Sequence, residues 1–418
     1  MKNCLVLLTK TYPFDKGEEF IEDEVPVLAN AFSHIYLIAT STASTPVQTR
    51  KTPENVTVLH IRAAAVKSRL FSAALPYVPF TNFRGYAEQN EQKAIHGVLK
   101  KRAYLAYFTA KAEAVYREAR TLLTGCDLGA YDGVTFYSYW FYDTALAAIR
   151  LRDECMNKSK KAVSRAHRYD LYADRNALNY LPLRPYLLQQ IDKVYPCSED
   201  GCRYLRNLYP EYQSKIETAY LGTRDFGAAP APTGQPLCIV SCCHISPVKR
   251  VELLAQSLAL LKDSGLALQW THFGGGDGLE SLKAYAAEHL SFMDAAFAGA
   301  VKNTELMTYY QTHPVDLFIN TSSSEGLPVS IMEACSFGIP SIATDVGGTS
   351  ELIRQGETGY LLDCDFSPQE LADRILSFSQ MSKAEQDTLR QNCRRTWQEH
   401  FCGETNFTHF AAKIQPSA

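Results

Sequence analysis

The sequence has no apolar run near the roughly 18 residues that a membrane-spanning helix needs. It has no Cys-x-x-Cys pair, and its Cys and His residues show none of the spacings that are typical of metal sites. Its formal net charge of −3 lacks the positive excess on which nucleic-acid binding depends. These absences argue against a membrane span, a metal site and nucleic acid as the main partner.

Cysteine is abundant, with 12 residues, but the pattern does not indicate a disulfide framework. Cys242 and Cys243 are adjacent, and several others lie in apolar, strand-like runs. Reduced, buried thiols in a cytoplasmic protein are the simplest interpretation. At the N-terminus, the apolar run from Cys4 to Leu8 fits a first β-strand better than a signal peptide.

One segment leaves peripheral contact with the inner face of a membrane open. Leu70–Phe80 and the basic helical stretch after it could rest on a membrane surface, or they could form a packed loop and a solvated helix. Basic residues outnumber acidic ones in residues 1–222, and the reverse holds in 223–418. This asymmetry indicates either unequal solvated surfaces or a basic face that meets an anionic membrane or acceptor.

Strand and helix signals alternate along the 418 residues, which suit two domains of about 200 residues each. The alternation predicts an α/β protein with parallel, doubly wound sheets. A stretch rich in Gly, Pro and Ala divides it into domains at 1–222 and 223–395. In such sheets ligands bind at the carboxyl ends of the strands, so two domains predict a ligand cleft.

The most informative segment runs from Val315 to Glu351. An apolar strand over 315–320 precedes a polar turn, and a helix is predicted from Pro328, which a first turn tolerates. The free N–H groups of Leu327, Val329 and Ser330 at that helix end favour an anion such as a phosphate.

Two carboxylates, Glu325 and Glu333, flank this predicted anion site, where they could accept hydrogen bonds from sugar hydroxyls beside a diphosphate. The alternative for this segment is an ordinary βαβ unit with a surface Glu and a helical Glu.

The pattern E-G-L-P-x-x-x-x-E-A-x-x-x-G-x-P, followed by D-x-G-G-x-x-E, resembles the donor-site signature of the retaining GT-B glycosyltransferases, family four or group 1. The resemblance implies two Rossmann-like domains that face each other across a cleft, with a C-terminal helix of about 396–418 packed back on the first. It also implies that Glu325 contacts the donor sugar, that Gly326, Leu327, Pro328 and Val329 lie against the donor, and that Glu333 binds the ribose. Glu351 is interpreted as structural.

Lys249 and Arg250 lie where a helix is predicted to begin, after the strand-like run 239–243. They are either solvated charges or cations that neutralise a departing diphosphate. Relatives place a Lys in this loop against the phosphates, and they usually carry an Arg five or six residues earlier. Here that position is His244, so Arg250 is the candidate for the second charge.

The first domain offers weaker signals. The loop after the first strand contains Gly17, where relatives have a glycine-rich loop that faces the donor. His167 follows a predicted strand in the sequence S-R-A-H-R-Y-D, and a lone histidine there is either structural or functional. Relatives with a similar sequence place this His against the donor sugar. Arg165 and Asp170 are candidates to position it or to contact the acceptor. Tyr137, Tyr139, Trp140 and Tyr142 form an aromatic cluster for core packing or, alternatively, sugar stacking.

The resemblance implies a retaining glycosyltransferase that moves a sugar from a nucleotide-diphosphate sugar to a saccharide or a lipid-linked saccharide, as in surface polysaccharide synthesis. No cofactor or metal is expected, because cations and helix N-termini can serve the diphosphate.

Two alternatives remain. A sugar-nucleotide epimerase of the same fold would need acid/base carboxylates in the first domain, where no clear candidate is present. A non-catalytic GT-B subunit that binds a partner glycosyltransferase should have lost the donor site, whereas Glu325, Glu333 and Lys249 are present.

Overall fold

The computed structural model describes residues 2–14, 17–74, 91, 95–232 and 234–416. The chain divides into two compact units, one of Met1–Leu221 with Glu404–Ala418 and one of Gly222–Gly403. The segment that joins the first unit from the C-terminus therefore begins at Glu404. Each unit is built on one parallel sheet with helices around it.

The sheet of the first unit has six strands, β1 (Asn3–Thr9), β2 (His34–Thr42), β3 (Val56–Arg62), β4 (Gly133–Ser138), β5 (Ser159–Ala166) and β6 (Lys193–Pro196). Their spatial order is β3-β2-β1-β4-β5-β6, and all pairings are parallel. β1 is almost wholly buried, as a central strand covered on both faces should be.

The helices around this sheet are α1 (Glu24–Ala31), α2 (Ala63–Ala74), α3 (Leu99–Leu123), α4 (Asp143–Glu154), α5 (Arg168–Leu171), α6 (Arg184–Gln190) and α7 (Glu199–Leu208). Short 3-10 turns occupy Glu19–Ile21, Leu128–Ala130, Ala173–Arg175 and Pro210–Lys215. The 3-10 turn at Glu19–Ile21 and helix α1 are therefore separate elements, with a break between them. Pro26 explains the break, because proline is tolerated in the first turn of α1 but not inside a helix that starts at residue 19.

The sheet of the second unit has strands β7 (Leu237–Cys242), β8 (Leu268–Phe273), β9 (Asp294–Gly299), β10 (Leu317–Asn320), β11 (Ser341–Thr344) and β12 (Gly359–Leu362). Their order is β12-β11-β10-β7-β8-β9, again with parallel pairings.

The helices in and after this unit are α8 (Val251–Ala259), α9 (Leu279–His289), α10 (Asn303–Thr312), α11 (Val329–Ser336), α12 (Thr349–Leu352), α13 (Pro368–Ser379), α14 (Lys383–His400) and α15 (Gly403–Ile414). Capping boxes at Ser367 and Ser382 start α13 and α14, since each hydroxyl accepts from a backbone N–H three residues on. Phe410, Ala411 and Ile414 of α15 are buried in the core of the first unit.

The strand orders fix where a ligand site is expected in each unit. The crossovers run in opposite directions from β1 and β4 in the first sheet, and from β7 and β10 in the second. A crevice forms at the carboxyl ends of two such strands, because neither crossover covers it. The α/β, doubly wound fold predicted from the sequence is confirmed in both units.

Two predictions concern segments that the structure describes only in part. Residues 75–90 and 92–94 lie outside the described residues, so most of Leu70–Phe80 and the first part of the basic helical stretch after it do too. Among the helices that are described, none combines the length and the apolarity needed to cross a bilayer.

Candidate active site

An ion pair lies at the β7/β10 crevice of the second unit. Lys249 Nζ donates to Glu325 Oε1 over 2.6 Å. The same oxygen accepts a longer bond of 3.2 Å from Asn320 Nδ2, and Oε2 makes no hydrogen bond to a described residue. The two side chains are 27% and 11% exposed, so the pair is accessible from one side. A cation and a carboxylate are therefore presented together at the crevice.

Two loops hold this pair in place. Thr321 Oγ1 donates to the carbonyls of Lys249 and Arg250 at 3.0 Å each, and Ser323 N–H donates to Val248 O at 2.8 Å. Asn320, the last residue of β10, accepts Ser322 N–H on its side chain at 2.9 Å, which tightens the turn. Because β7 and β10 are neighbours, their carboxyl-end loops meet and are bonded along their length.

Gly347 shows how closely a third loop approaches. Its φ is +56°, and a Cβ at this position would lie 2.0 Å from Glu325 O. The next residue, Gly348, donates its N–H to Gly326 O over 2.7 Å. Only glycine fits this conformation and this contact, so the D-x-G-G part of the motif supports the E-G-L-P loop.

Helix α11 begins directly after this loop. Pro328 is its N-cap, and the N–H groups of Ile331 and Met332 both donate to Pro328 O. The N–H groups of Val329 and Ser330 make no hydrogen bond to the described residues, as expected for the first turn of a helix. Leu327 is buried. The positive end of the α11 dipole thus lies just beyond the Lys249–Glu325 pair.

Glu333 lies further along α11 and is only 9% exposed. Its Oε1 accepts a 2.6 Å hydrogen bond from Asn303 Nδ2, on the first residue of α10. Tyr310 on the same helix is fully buried, and burial, with smaller contributions from Cys242 and Glu333, raises its pKa. The Tyr310 hydroxyl has no hydrogen-bond partner among the residues that the structure describes. No sequence motif includes Asn303, so its contact with Glu333 could not be predicted from the sequence.

Arg250 links its own loop to the loops after β10 and β12 through hydrogen bonds. It adopts φ +48° at the N-cap of α8, its Nε donates to Thr321 O at 2.8 Å, and its Nη1 donates to Cys364 O at 2.6 Å. Its guanidinium lies over the Phe366 ring at 5.5 Å. Nη2 is buried and has no hydrogen-bond partner in the described part of the chain. A contact with a diphosphate stays a prediction for Arg250, and the bonds it makes here are structural.

His244 is exposed in the loop that follows β7. The glycine run after β8 supports this loop, because Ile245 N–H donates to Gly275 O at 2.8 Å and a Cβ on Gly274 would lie 1.8 Å from Cys243 O. Burial raises the pKa of the Cys243 thiol to about 12, so this neighbour of His244 stays protonated. The structure leaves the His244 side chain on the surface of the loop.

In the first unit, His167 lies at the carboxyl end of β5 and is 7% exposed. Phe20, Tyr139 and Trp140 enclose its ring, with centroid distances of 5.5, 4.8 and 4.8 Å. Nε2 is 3.2 Å from Tyr139 O. Burial, with the nearby Arg165 charge, lowers the pKa of His167 to about 3, so the imidazole is neutral at neutral pH.

Asp170 holds the turn that carries His167. Its carboxylate accepts the backbone N–H of His167 at 2.6 Å and that of Phe141 at 2.5 Å. It is fully buried, and this burial raises its pKa to about 7 despite those bonds and the Arg184 charge. Asp170 is therefore a positioning group for the loops after β4 and β5.

Arg165 is part of the core. It is 0% exposed, its Nε donates to Glu24 Oε2 at 3.0 Å, and Tyr137 donates to the other oxygen at 2.8 Å. Tyr137 and Tyr139 are also fully buried, whereas Trp140 is half-buried. Core packing therefore accounts for these two tyrosines and for Arg165, which has no surface to offer an acceptor.

The loop after β1 is organised by Glu18, which the sequence did not single out. Its carboxylate accepts the backbone N–H groups of Lys10, Thr11 and Tyr12 and the indole N–H of Trp140, at 2.6 to 2.9 Å. Gly17 precedes it with φ +100°. Glu18 therefore holds Lys10 and Trp140, two residues that line a cavity of the first unit.

A cavity of about 230 Å3 lies at the carboxyl edge of the first sheet. It is lined by Lys10, Thr40, Ser41, Lys111, Trp140, Tyr142, Asp143, Thr144, Tyr169 and Asp170. Lys111 Nζ pairs with Asp143 Oδ2 at 3.0 Å, and the pKa of Lys111 is raised by Asp143 against the opposing effect of burial. Aromatic side chains and hydrogen-bonding groups thus line the same cavity.

The structure brings together Lys249, Glu325 and the residues 326–329 at one crevice of the second unit, with Glu333 on the helix that follows. His167 and Gly17 belong to the first unit. Among the described part of the chain, no group of three or more His, Cys, Asp or Glu side chains is arranged to hold a metal ion.

The family model of the glycosyl transferases group 1 matches residues 226–396. Over these residues the chain is similar to the glycosyl transferases group 1. It contains the Lys249–Glu325 pair, the glycine loops and α11, so the motif that pointed to the family lies inside the match.

Two curated relatives extend this finding. The O-antigen biosynthesis glycosyltransferase WbnH of Escherichia coli is 37% identical over 131 residues, which are 29% of this chain and 35% of that protein. The putative colanic acid biosynthesis glycosyltransferase WcaL of Escherichia coli strain K12 is 24% identical over 283 residues, which are 66% and 69% of the two chains. The match thus spans about a third of WbnH and about two thirds of WcaL.

Solved structures establish the fold. The lipopolysaccharide outer core galactosyltransferase WaaB superposes with a TM-score of 0.66 at 14% identity, covering 98% of this chain and 99% of that one. The sucrose-phosphate synthase of Thermosynechococcus elongatus gives 0.69 at 17% identity, covering 98% of both. Anabaena HepE, solved with UDP-glucose, gives 0.62 at 13% identity, covering 98% of both. The GT-B fold predicted from the sequence is confirmed.

Proposed function

We propose that this chain is a retaining glycosyltransferase of family four. It transfers a sugar from a nucleotide-diphosphate sugar to a saccharide or lipid-linked saccharide acceptor in the synthesis of a surface polysaccharide. The observation that carries the proposal is the Lys249–Glu325 pair at the β7/β10 crevice. The names of WbnH and WcaL, which refer to O-antigen and colanic acid, support the polysaccharide context.

The donor's diphosphate would lie between Lys249 and the start of α11. The ammonium group has three N–H donors and uses one on Glu325, so two remain for phosphate oxygens. The N–H groups of Val329 and Ser330 add donors at the positive end of the helix dipole. His244 and Arg250 are the further donor-binding candidates in the same loop.

The carboxylates would hold the two ends of the donor. Glu325 keeps Oε2 for a hydroxyl of the transferred sugar, and Glu333 accepts from the ribose. A carboxylate accepts hydrogen bonds from sugar hydroxyl groups. It does not bind phosphate oxygens, because both groups are hydrogen-bond acceptors. In the first unit, His167 would contact the sugar as a neutral hydrogen-bonding ring, with Gly17 on a donor-facing loop.

The reaction that follows breaks the bond between the anomeric carbon and the diphosphate oxygen. The electron pair of that bond goes to the leaving diphosphate, where Lys249 stabilises the developing charge. The acceptor hydroxyl oxygen bonds to the anomeric carbon on the same face, and its proton passes to the leaving phosphate. The products are the glycosylated acceptor, with retained configuration, and the protonated nucleoside diphosphate.

The acceptor side is assigned to the cavity of the first unit. Trp140, Tyr142 and Tyr169 offer aromatic faces on which a sugar ring can stack, and Lys111 with Asp143 offers a donor and an acceptor for its hydroxyls. The reaction is proposed to occur in the cytoplasm, where a lipid-linked acceptor would require peripheral contact with the inner face of the membrane.

No metal or other cofactor is needed in this proposal, because Lys249 and the α11 N-terminus supply the positive charge. Turnover by the full chain should therefore survive an excess of EDTA, measured as nucleoside diphosphate release. If EDTA abolishes turnover and Mg2+ restores it, Lys249 is not the group that stabilises the charge on the leaving diphosphate.

The test of the function is a direct assay. The full chain is incubated with UDP- and GDP-sugars and a panel of p-nitrophenyl glycosides as surrogate acceptors. Release of nucleoside diphosphate is measured with the anomeric configuration of the product by NMR. A product that keeps the donor's configuration is expected. An inverted product would overturn retention, and epimerised donor without transfer would overturn the function.

A further inference from the structure

Asn303 reaches Glu333 from a different helix. It is the first residue of α10 and is itself exposed, whereas Glu333 on α11 is almost buried. Asn303 Nδ2 and Glu333 Oε1 are 2.6 Å apart. Thirty residues separate them, so the contact depends on the packing of two helices and not on a local turn.

The chemistry of this bond suits a carboxylate that must stay ionised and accept a second group. A hydrogen bond from a neutral amide to a carboxylate is charge-assisted, so it is short and directional. A Lys or Arg at this position would neutralise the carboxylate and compete with a ligand for it. An Asn fixes the orientation of the carboxylate and leaves its charge in place, and a carboxylate has further lone pairs with which to accept.

We propose that Asn303 is the positioning residue for Glu333, which it holds in the orientation that accepts the ribose hydroxyls of the donor nucleotide. This inference rests on the proposed role of Glu333 in the donor site. Asn303 itself touches no reacting atom. Its contribution is discrimination between a ribonucleotide and a nucleotide that lacks those hydroxyls.

The experiment measures dissociation constants of the full chain for UDP, GDP and their 2′,3′-dideoxy analogues by calorimetry. The better-bound base is used, and the readout is the ratio of the dideoxy to the ribo dissociation constant. Asn303→Ala should lower this ratio about tenfold, since a bond to a charged group is lost. Asn303→Asp, which places a like charge beside Glu333, should lower it at least as far.

Two controls keep the test specific. Thr304→Ala changes the adjacent exposed residue of α10, whose side chain makes no hydrogen bond to a described residue, and should leave the ratio at the wild-type value. Glu333→Ala and the milder Glu333→Gln remove or neutralise the carboxylate. Adding Asn303→Ala to Glu333→Ala should have no further effect on the ratio, because the group that Asn303 positions is absent.

The outcomes distinguish the ribose contact of Glu333 from the positioning role of Asn303. If both Glu333 variants keep the wild-type ratio, the assigned ribose contact is wrong and the inference falls with it. If the Glu333 variants lower the dideoxy-to-ribo ratio and Asn303→Ala leaves it unchanged, the ribose contact is supported. The positioning role of Asn303 is then overturned. A lower affinity for ribo and dideoxy nucleotides alike, with an unchanged ratio, also overturns it, because a general structural role predicts that result.

Discussion

Replacing Lys249 by Ala removes the cation nearest to the proposed leaving group. The substitution takes one partner from a 2.6 Å ion pair and leaves Glu325 with the 3.2 Å bond from Asn320. Removing one preorganised donor from a developing oxyanion reduces kcat by about 100- to 1,000-fold, or about 2.7 to 4 kcal/mol of transition-state stabilisation. We expect a loss in that range for Lys249→Ala.

The effect on stability should be much smaller. Lys249 is 27% and Glu325 11% exposed, so solvent screens the pair in part. Partly exposed ion pairs contribute about 1 kcal/mol or less, so the unfolding free energy should fall by about 1 kcal/mol. A large loss of kcat with a small loss of stability is what separates a catalytic cation from a structural one.

The assay compares kcat from nucleoside diphosphate release with the unfolding free energy from urea titration. Lys283→Ala is the matched control, because Lys283 forms a 2.9 Å ion pair with Glu280 on the surface of the same unit. This control should keep wild-type kcat. The reasoning is refuted if Lys249→Ala retains kcat within about threefold of wild type, since the barrier would then have risen by less than about 0.7 kcal/mol.

Three further predictions concern other parts of the molecule. Gly347→Ala should abolish transfer and lower the unfolding free energy by about 2 kcal/mol more than Gly356→Ala does. The Cβ at position 347 would lie 2.0 Å from Glu325 O, whereas Gly356 has a similar positive φ and open space around it. His167 has a pKa of about 3 when folded against an ordinary 6.5, so the folded chain binds fewer protons between those values. The stability lost by His167→Gln should therefore shrink as pH falls from 7 toward 4, measured by urea unfolding. Lys111→Met should raise the KM for the acceptor several-fold and leave the dissociation constant for the nucleotide unchanged.

Each of these has a contradicting result. Equal destabilisation by the two glycine variants would mean that only the backbone conformation matters at Gly347. A stability difference for His167→Gln that is constant or grows as pH falls would mean that the buried imidazole is protonated. A change in nucleotide affinity with unchanged acceptor KM would remove the first-unit cavity from the acceptor site.

The fold could be predicted because parallel strands buried on both faces appear as continuous apolar runs. Cys4–Leu8 predicted a strand that the structure extends to Asn3–Thr9, and the helix predicted from Pro328 begins at Val329. Helix α14 ends at His400, and α15 starts at Gly403. The N–H of Gly403 donates to Thr223 O at this break, a contact 180 residues distant that no local pattern reveals.

The site was only partly predictable. Glu325 and Glu333 stand in a recognisable motif, but the contact of Glu325 with Lys249 spans 76 residues and depends on β7 lying beside β10. The position of Arg250 after β7 predicts a charge-neutralising role, but its bonds to the carbonyls of Thr321 and Cys364 depend on loops that lie far away in the sequence. Asn303 could not be predicted because its contact with Glu333 depends on how α10 packs against α11.

The central claim is that the β7/β10 crevice binds the nucleotide diphosphate. A crystal structure of the full chain with UDP or GDP, whichever binds more tightly, tests it most directly. We expect a phosphate oxygen within hydrogen-bonding distance of Lys249 Nζ and a ribose hydroxyl within the same distance of the Glu333 carboxylate. A nucleotide bound elsewhere, with Lys249 still paired to Glu325 alone, would contradict it.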